Sequence, residues 1–252
     1  MWNVFPFARS VGWAAVATRP LVLGHRGASR REAENTVAAF AAARALGADG
    51  VELDVRRTAD GVLVLHHDPA RAGVGLLVSQ PFAAVRAVAP DIPTLAEALD
   101  ACAGMLVNVE IKCLPWEPDA DTADHAVVRA VADELEHRTG ELIVSSFDLG
   151  AVDACRAYAP ALTTALLTSG QSVAAAAQVA SEHGHAWCNP DRRAALDATV
   201  DEVAAAHAAG VRVSVWTVDD PTEAQLLAAV GVDAIITNEP DVVLAVLTAR
   251  RS

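Results

Sequence analysis

Charged residues two positions apart occur in two short apolar stretches of the chain. Glu52 and Asp54 lie in the run VELDV, and Glu110 lies in VNVEIK, two residues before Lys112. Alternate residues of a strand share a face, so each pair projects on one side. Three carboxylates brought together would repel one another unless a cation lay among them. Oxygen ligands suit a hard ion, so the pattern predicts one Mg²⁺ or Ca²⁺ site; a structural network of ion pairs is the alternative.

Two histidines stand at the ends of predicted strands. His25 closes the run LVLGH and is followed by Arg26 and Gly27, while His67 lies in LHHDP. Histidines can remove and deliver protons near neutral pH, which makes these two candidates for general base and general acid. A structural role is the alternative for each ring. We expect His66 to point away from the site if His67 points into it. The other histidines, on predicted helices or loops, are interpreted as structural: His125, His137, His183, His185 and His207.

Short apolar runs alternate with Ala-rich amphipathic stretches along the chain, a pattern typical of β–α units. Nine strands are predicted, and the connection RRTADG between the second and third is too short for a helix. Asp60-Gly61 predicts a two-residue hairpin turn, which makes Val62–His66 antiparallel and places Asp54 opposite His67. Eight parallel strands remain. They predict a TIM (β/α)8 barrel with an extra hairpin strand after the second barrel strand, and active-site residues at the carboxyl ends of its strands.

The composition limits the domain count, the partners and the location. The 252 residues contain no linker or repeat, so we expect one domain over 21–250, preceded by an apolar segment, 1–20, that packs on the barrel. The net charge of −13 argues against nucleic-acid and anionic-membrane partners. No apolar run is long enough to predict a transmembrane segment. The segment 1–20 lacks a signal peptide's charged start, and four cysteines without paired spacing favour a reduced, cytoplasmic protein.

Eight motifs, taken in their order and spacing, resemble the glycerophosphodiester phosphodiesterase family over nearly the whole chain. They are HRG (25–27), ENT (34–36), ELDV (52–55), HHDP (66–69), NVEIK (108–112), SSF (145–147), VWTV (215–218) and GVDAIITNEPD (231–241). The resemblance implies a phospholipase-C-like phosphodiesterase barrel. It also implies metal-dependent hydrolysis of a small-molecule glycerophosphodiester to glycerol 3-phosphate and an alcohol.

The resemblance further implies a role for each matching residue. His25 and His67 match the catalytic histidines, and the metal ligands match Glu52, Asp54 and Glu110. Arg26 and Lys112 match the family's residues that hold the phosphate. Trp216 matches an aromatic residue near the substrate. Lys112 is the only lysine of the chain, whereas the other basic residues are all arginine.

Three features depart from the family pattern. The insertion at 68–92 is short and holds one predicted helix, Pro81–Val88, which bears on the preference for the alcohol. Asn189 stands where the family often has a histidine before proline, and Asp219 stands where Asn is common. Two other functions stay open: lysophospholipase D-type cleavage of lysophospholipids, favoured by the apolar N-terminal segment and Trp116, and a non-catalytic phosphodiester-binding barrel. The complete set of histidines and carboxylates argues against the second.

Overall fold

The strands of the chain form a closed barrel, as the sequence predicts. The computed structural model describes residues 19–120 and 125–249. Its strands are β1 (Leu21–His25), β2 (Gly50–Arg57), β3 (Leu63–Leu65), β4 (Ala70–Arg71), β5 (Gly75–Leu76), β6 (Leu106–Ile111), β7 (Leu142–Ser146), β8 (Thr163–Thr168), β9 (Trp187–Pro190), β10 (Arg212–Val215) and β11 (Ala234–Thr237). Eight of them pair in parallel in the order β1-β2-β6-β7-β8-β9-β10-β11, and β11 pairs with β1 to close the barrel.

Helices connect the barrel strands and cover their outer faces. They are α1 (Val37–Ala45), α2 (Phe82–Val88), α3 (Leu95–Ala101), α4 (Ala126–Glu136), α5 (Leu149–Tyr158), α6 (Val173–His183), α7 (Arg192–Leu196), α8 (Val200–Ala208), α9 (Pro221–Val230) and α10 (Pro240–Thr248). Local sequence explains where several begin. Thr94 with Glu97, and Thr199 with Glu202, form capping boxes at α3 and α8. Proline occupies the first turn of α9 and of α10.

The register of β2 on β6 places the acidic residues side by side. Glu52 pairs with Asn108, and Asp54 pairs with Glu110. The intervening residues point outward into the main hydrophobic core between the strands and the helices: Val51, Leu53, Val55, Val107, Val109 and Ile111. Because side chains alternate along a strand, burying these apolar residues outside the barrel turns the carboxylates inward.

The hairpin after β2 differs from the sequence prediction by one residue. Val55 pairs with Leu65, so Asp54 lies opposite His66, whose amide donates to the Asp54 carbonyl oxygen at 3.1 Å. The predicted pairing of Asp54 with His67 was therefore wrong. The turn holds three residues, 59–61, because the amide of Thr58 bonds the Val62 carbonyl oxygen at 3.0 Å and the Thr58 hydroxyl accepts from the Val62 amide. A hydroxyl that bonds the backbone within the turn favours this longer loop.

Some elements fall outside the predicted set. The insertion at 68–92 contains the small hairpin of β4 and β5 and a 3-10 turn at 77–79 as well as the expected helix, α2. Helix α7 was not predicted. The predicted N-terminal segment falls almost entirely on residues 1–18, which lie outside the described residues. No helix in the described ranges is long and apolar enough to cross a membrane.

Candidate active site

The loop after β1 turns sharply and brings its backbone onto the acidic residues of β2. Arg26 and Gly27 both have left-handed backbone conformations, with φ of 57° and 84°. A Cβ atom on Gly27 would lie 2.6 Å from the Ala39 carbonyl carbon, so only glycine fits this turn. The left-handed conformation of Arg26 costs roughly 1–2 kcal/mol. A hydrogen bond from its amide to Glu52 Oε2, at 3.0 Å, offsets this cost and holds the loop over the barrel end.

Three carboxylates converge at the carboxyl ends of β2 and β6. Glu52, Asp54 and Glu110 are buried, and one oxygen from each lies within 4.8 Å of the others. Glu52 Oε1 is buried without a hydrogen-bond partner. Three carboxylates with a buried, unpartnered oxygen form an all-oxygen donor set that fits a hard divalent cation.

Two basic side chains contact the carboxylates from the side. Lys112 Nζ lies 3.0 Å from Asp54 Oδ1 and also contacts Glu110 Oε1. Arg26 Nε lies 3.1 Å from Asp54 Oδ2, while its Nη1 donates to Glu34 at 2.8 Å. The site therefore alternates negative and positive groups, which is an arrangement suited to an anion bound beside a metal.

The carboxylates differ in their affinity for protons. Burial, with the nearby charges of Asp54 and Glu110, raises the pKa of Glu52 well above its ordinary value. Burial also raises the pKa of Glu110 to about 7, against the opposing effect of Lys112. For Asp54 burial alone would raise the pKa, but Lys112, Arg26 and a hydrogen bond from the Asn35 amide at 2.7 Å outweigh it and lower the pKa to about 2. Without a metal the cluster is under electrostatic strain.

His25 belongs to a chain of hydrogen bonds that selects its tautomer. Its Nδ1 lies 2.7 Å from Asn238 Oδ1, and Asn238 Nδ2 donates to Asp219 Oδ2 at 2.7 Å. An ionised carboxylate can only accept hydrogen bonds, so Asp219 must face the NH₂ group of the Asn238 side chain. The Oδ1 atom of Asn238 then points toward the ring of His25. Nδ1 of His25 must then carry the proton, which leaves Nε2 as the unprotonated nitrogen, 4.0 Å from Glu52 Oε2. Burial and the charge of Arg26 lower the pKa of His25 and keep the ring neutral.

His67 lies just beyond the end of β3, so the strand pairing of β2 with β3 does not determine which way its side chain points. Its Nδ1 lies 2.7 Å from Asp68 Oδ1. Burial and the charge of Lys112 lower the pKa of His67, while the charge of Asp54 opposes the shift. The charges of Lys112 and Asp54 thus act on the ring of His67. Its role as a site residue stays a prediction, and the register that led to this expectation was wrong. His66 bonds the Asp68 carbonyl oxygen through Nδ1 at 2.8 Å and lines a neighbouring cavity of about 420 Å³ with Glu34 and Asn35.

Arg56 is a residue of this region that the sequence analysis missed. It is buried, its Nε donates to the His67 carbonyl oxygen at 2.9 Å, and its guanidinium pairs with Glu117 and Asp119 at 3.0 and 2.7 Å. Arg56 thus joins the backbone at His67 to the loop that follows Lys112. The alternation that singled out Glu52 and Asp54 continues to position 56 and could have indicated it.

An aromatic pair stands at the carboxyl ends of β7 and β10. The ring of Phe147 meets Trp216 edge to face at 5.4 Å between centroids. Trp216 Nε1 donates to the Asn189 carbonyl oxygen at 2.8 Å, which orients the indole. Phe147 lies in one of the quoted motifs but was not chosen as a site residue. Trp116, on the loop after β6, is 77% exposed.

Comparison with known proteins identifies relatives over the same residues. The model of the glycerophosphoryl diester phosphodiesterase family matches residues 25–242. A glycerophosphodiester phosphodiesterase from Caldanaerobacter subterraneus is 29% identical over 90% of this chain and 97% of its own. Among solved structures, an Oleispira antarctica phosphodiesterase in complex with the product sn-glycerol-3-phosphate has a TM-score of 0.79 and 25% identity, over 92% of this chain and 98% of its own. A Thermotoga maritima glycerophosphodiester phosphodiesterase has a TM-score of 0.75 and 26% identity, over 90% and 97%.

Proposed function

The chain belongs to the glycerophosphoryl diester phosphodiesterase family, a family of phosphoric diester hydrolases, and from that premise we propose a metal-dependent, two-histidine mechanism for its reaction. The substrate is a small glycerophosphodiester, and the products are glycerol 3-phosphate and an alcohol. One observation carries the proposal: buried Glu52, Asp54 and Glu110 converge beside Lys112 and Arg26, and His25 Nε2 lies 4.0 Å from Glu52 Oε2. The product named for the Oleispira antarctica relative supports the choice of substrate.

We assign Glu52, Asp54 and Glu110 as the ligands of one Mg²⁺ or Ca²⁺ ion. When bound, such an ion polarises a phosphoryl oxygen and neutralises developing charge. Three carboxylates against Lys112 and Arg26 leave one net negative charge, which would repel a phosphodiester. A divalent ion turns that into one net positive charge, which matches the single negative charge of the substrate. In this assignment Lys112 and Arg26 hold the phosphate, and Trp216 borders the substrate.

The hydrogen bonds of the two histidines suggest different roles for them. His25 presents an unprotonated Nε2 because Asn238 accepts from its Nδ1, so we assign it as the base that deprotonates the attacking oxygen. Burial and Lys112 lower the pKa of His67, but the carboxylate of Asp68 at its Nδ1 opposes that shift and favours the protonated ring. We therefore assign His67 as the acid that protonates the leaving alcohol. The attacking oxygen is either water or the glycerol 2-hydroxyl, which would give a cyclic phosphate that water then opens.

A lysophospholipid is the second candidate substrate for the same site. The exposure of Trp116 on the loop after β6, four residues beyond Lys112, favours a partly apolar substrate. This alternative changes the alcohol and leaves the chemistry as it is. The four cysteines are buried as thiols, which supports a reducing, cytoplasmic location for either activity.

Assays of the chelated and reloaded protein test the proposal. Protein stripped with a chelator is assayed on glycerophosphocholine and on lysophosphatidylcholine, by choline release, with and without added Mg²⁺ or Ca²⁺. We expect turnover of glycerophosphocholine that disappears on chelation and returns with the metal. Glu110→Gln should need far more metal, whereas Glu136→Gln, which changes an exposed residue of α4, should behave as the wild type. Full activity after exhaustive chelation would contradict the assignment of the metal.

A further inference from the structure

A second group of metal-binding side chains lies outside the barrel, far from the machinery described above in both sequence and fold. Asp153 on α5, His183 at the end of α6 and His185 before β9 each offer one ligand atom within 4.8 Å of the others. His183 Nδ1 lies 2.9 Å from Asp153 Oδ2, and His185 Nε2 lies 3.2 Å from Asp153 Oδ1. The two imidazole rings stack nearly parallel, 14° apart.

The ring of His185 has one well-aligned and one poorly aligned polar contact. Its side chain is fully buried, and Nε2 lies 3.2 Å from Asp153 Oδ1 without good hydrogen-bond geometry. The other ring nitrogen, Nδ1, is 2.9 Å from the Thr164 hydroxyl, which fixes the ring. A buried ring nitrogen whose partner is poorly aligned carries part of the free-energy cost of an unmade hydrogen bond. A second partner on the far nitrogen is the arrangement that metal-binding histidines use.

We propose that Asp153, His183 and His185 form a site for one borderline divalent metal ion of the Zn²⁺ class. Two imidazole nitrogens and one carboxylate oxygen select such an ion over Mg²⁺ or Ca²⁺, and water completes a four-coordinate shell. The negative end of the α6 dipole adds attraction, because Gly184 ends that helix beside the cluster.

The surroundings permit an ion to enter and bind. Asp153 and His183 are about 40% exposed, which opens a path from solvent. Burial lowers the pKa of His185, so its ring is neutral and can act as a ligand near neutral pH. The positive charge of Arg156 opposes the binding of a cation here. Its guanidinium lies against Gly184, and its charge lowers the pKa of His185. Arg156 is exposed, so its side chain can turn toward solvent when the ion binds.

The absorption spectrum of Co²⁺ tests this site without any measurement of activity. Four-coordinate Co²⁺ with nitrogen ligands absorbs visible light far more strongly than six-coordinate Co²⁺ held by oxygens, so the barrel carboxylates do not mimic the signal. Untagged protein is titrated with Co²⁺ in the presence of excess Mg²⁺. We expect the wild type to develop the strong bands at one ion per chain, and Zn²⁺ to displace them.

Two variants of the proposed ligands and two controls assign the bands to these residues. His183→Ala and Asp153→Ala both change half-exposed side chains, and each should weaken the binding of this Co²⁺ by more than the roughly 10–100-fold that loss of an outer partner costs. His207→Ala is the matched control, because His207 is similarly exposed and pairs with Asp233 at 2.8 Å in a group with no second histidine. Glu110→Gln should keep the bands. Absence of the bands in the wild type, their loss in Glu110→Gln, or unchanged affinity in His183→Ala would overturn the proposal.

Discussion

At the scale of single residues, several side chains of the site act through their neighbours as well as on the substrate. Lys112 is clamped between two carboxylates, Asp54 at 3.0 Å and Glu110. Burial alone would lower its pKa, but these two charges reverse the effect and raise it. The amine therefore stays charged in a confined position between two carboxylates, which suits the phosphate-binding role proposed for it.

Replacing Lys112 by arginine should lower kcat/KM by at least about 10-fold, although the charge is kept. The planar guanidinium is larger than an ammonium and does not fit between two buried carboxylates. Lys112→Ala should lose more, on the order of 10²–10³-fold, as for other lost donors to transition-state charge. Steady-state kinetics and circular dichroism decide the question. Wild-type kcat/KM in Lys112→Arg would mean that any cation suffices at this position.

Asp219 is a positioning residue, since it reaches His25 only through Asn238. Replacing it by leucine should lower kcat about 10–100-fold, because the amide of Asn238 can then rotate and the wrong nitrogen of His25 becomes protonated. Asp219→Asn keeps an acceptor and should retain most of kcat. In Asp219→Leu the acidic limb of the kcat/KM profile should move to lower pH, because the hydrogen bond of His25 to the Asn238 oxygen, which raises the pKa of His25, is lost. A purely structural role would lower stability without moving this limb.

At the scale of elements, the hairpin of β2 and β3 determines where the second histidine stands. Strand β3 has only three residues, and the ladder ends at Leu65, so the two histidines that follow are placed by local bonds. Arg56 holds the His67 carbonyl oxygen and ties it to the loop after β6. The hairpin end and this loop thus form one unit that carries both Lys112 and His67 to the same side of the barrel.

Replacing His67 by alanine should lower kcat by ~10²–10⁴-fold, the usual contribution of a positioned acid or base. The same change at His66 should have a much smaller effect, because that ring bonds a backbone carbonyl and lines the neighbouring cavity. The pair is a close control, since the two residues are adjacent and similarly exposed. Kinetics at saturating metal give the comparison. A severe loss in His66→Ala together with an active His67→Ala would show that the two roles are reversed.

At the scale of the whole molecule, the barrel concentrates negative charge at one end, and this lowers its stability. Alternation on β2 and β6 buries three carboxylates with only two cations beside them. The burial of apolar residues on the outer faces of the same strands compensates for this, since they occupy the main core. An acidic cluster whose charge a metal ion would balance is thereby built into the strands that hold the fold together.

Metal-free protein should lose stability as the pH rises from about 4.5, the ordinary pKa of Glu52, through 7, the raised pKa of Glu110. In that range the folded state holds protons that the unfolded state releases, so the free energy of unfolding falls as pH increases. Glu52→Gln removes one of these groups and keeps a carbonyl acceptor for the Arg26 amide. With chelator at pH 7 it should be more stable than the wild type by about 1–2 kcal/mol.

Urea unfolding with chelator measures this difference, and Glu136→Gln on the surface serves as the unchanged control. Saturating Mg²⁺ or Ca²⁺ should reverse the order, because only the wild type gains the full binding free energy of the ion. A Glu52→Gln variant that is less stable than the wild type in chelator would indicate that the carboxylates do not repel one another in the folded protein.

The sequence alone determined the barrel, the inward acidic set on β2 and β6, and the family, because each depends on local periodicity or on the order of motifs along the chain. The partners of His25 depend on contacts between Asn238, Asp219 and a strand more than 200 residues away, which no local pattern encodes. The hairpin register depended on one hydroxyl in a turn, and the role of Arg56 on a loop that follows another strand. The convergence of Asp153, His183 and His185 likewise exists only because the fold brings α5, the end of α6 and the residues before β9 together.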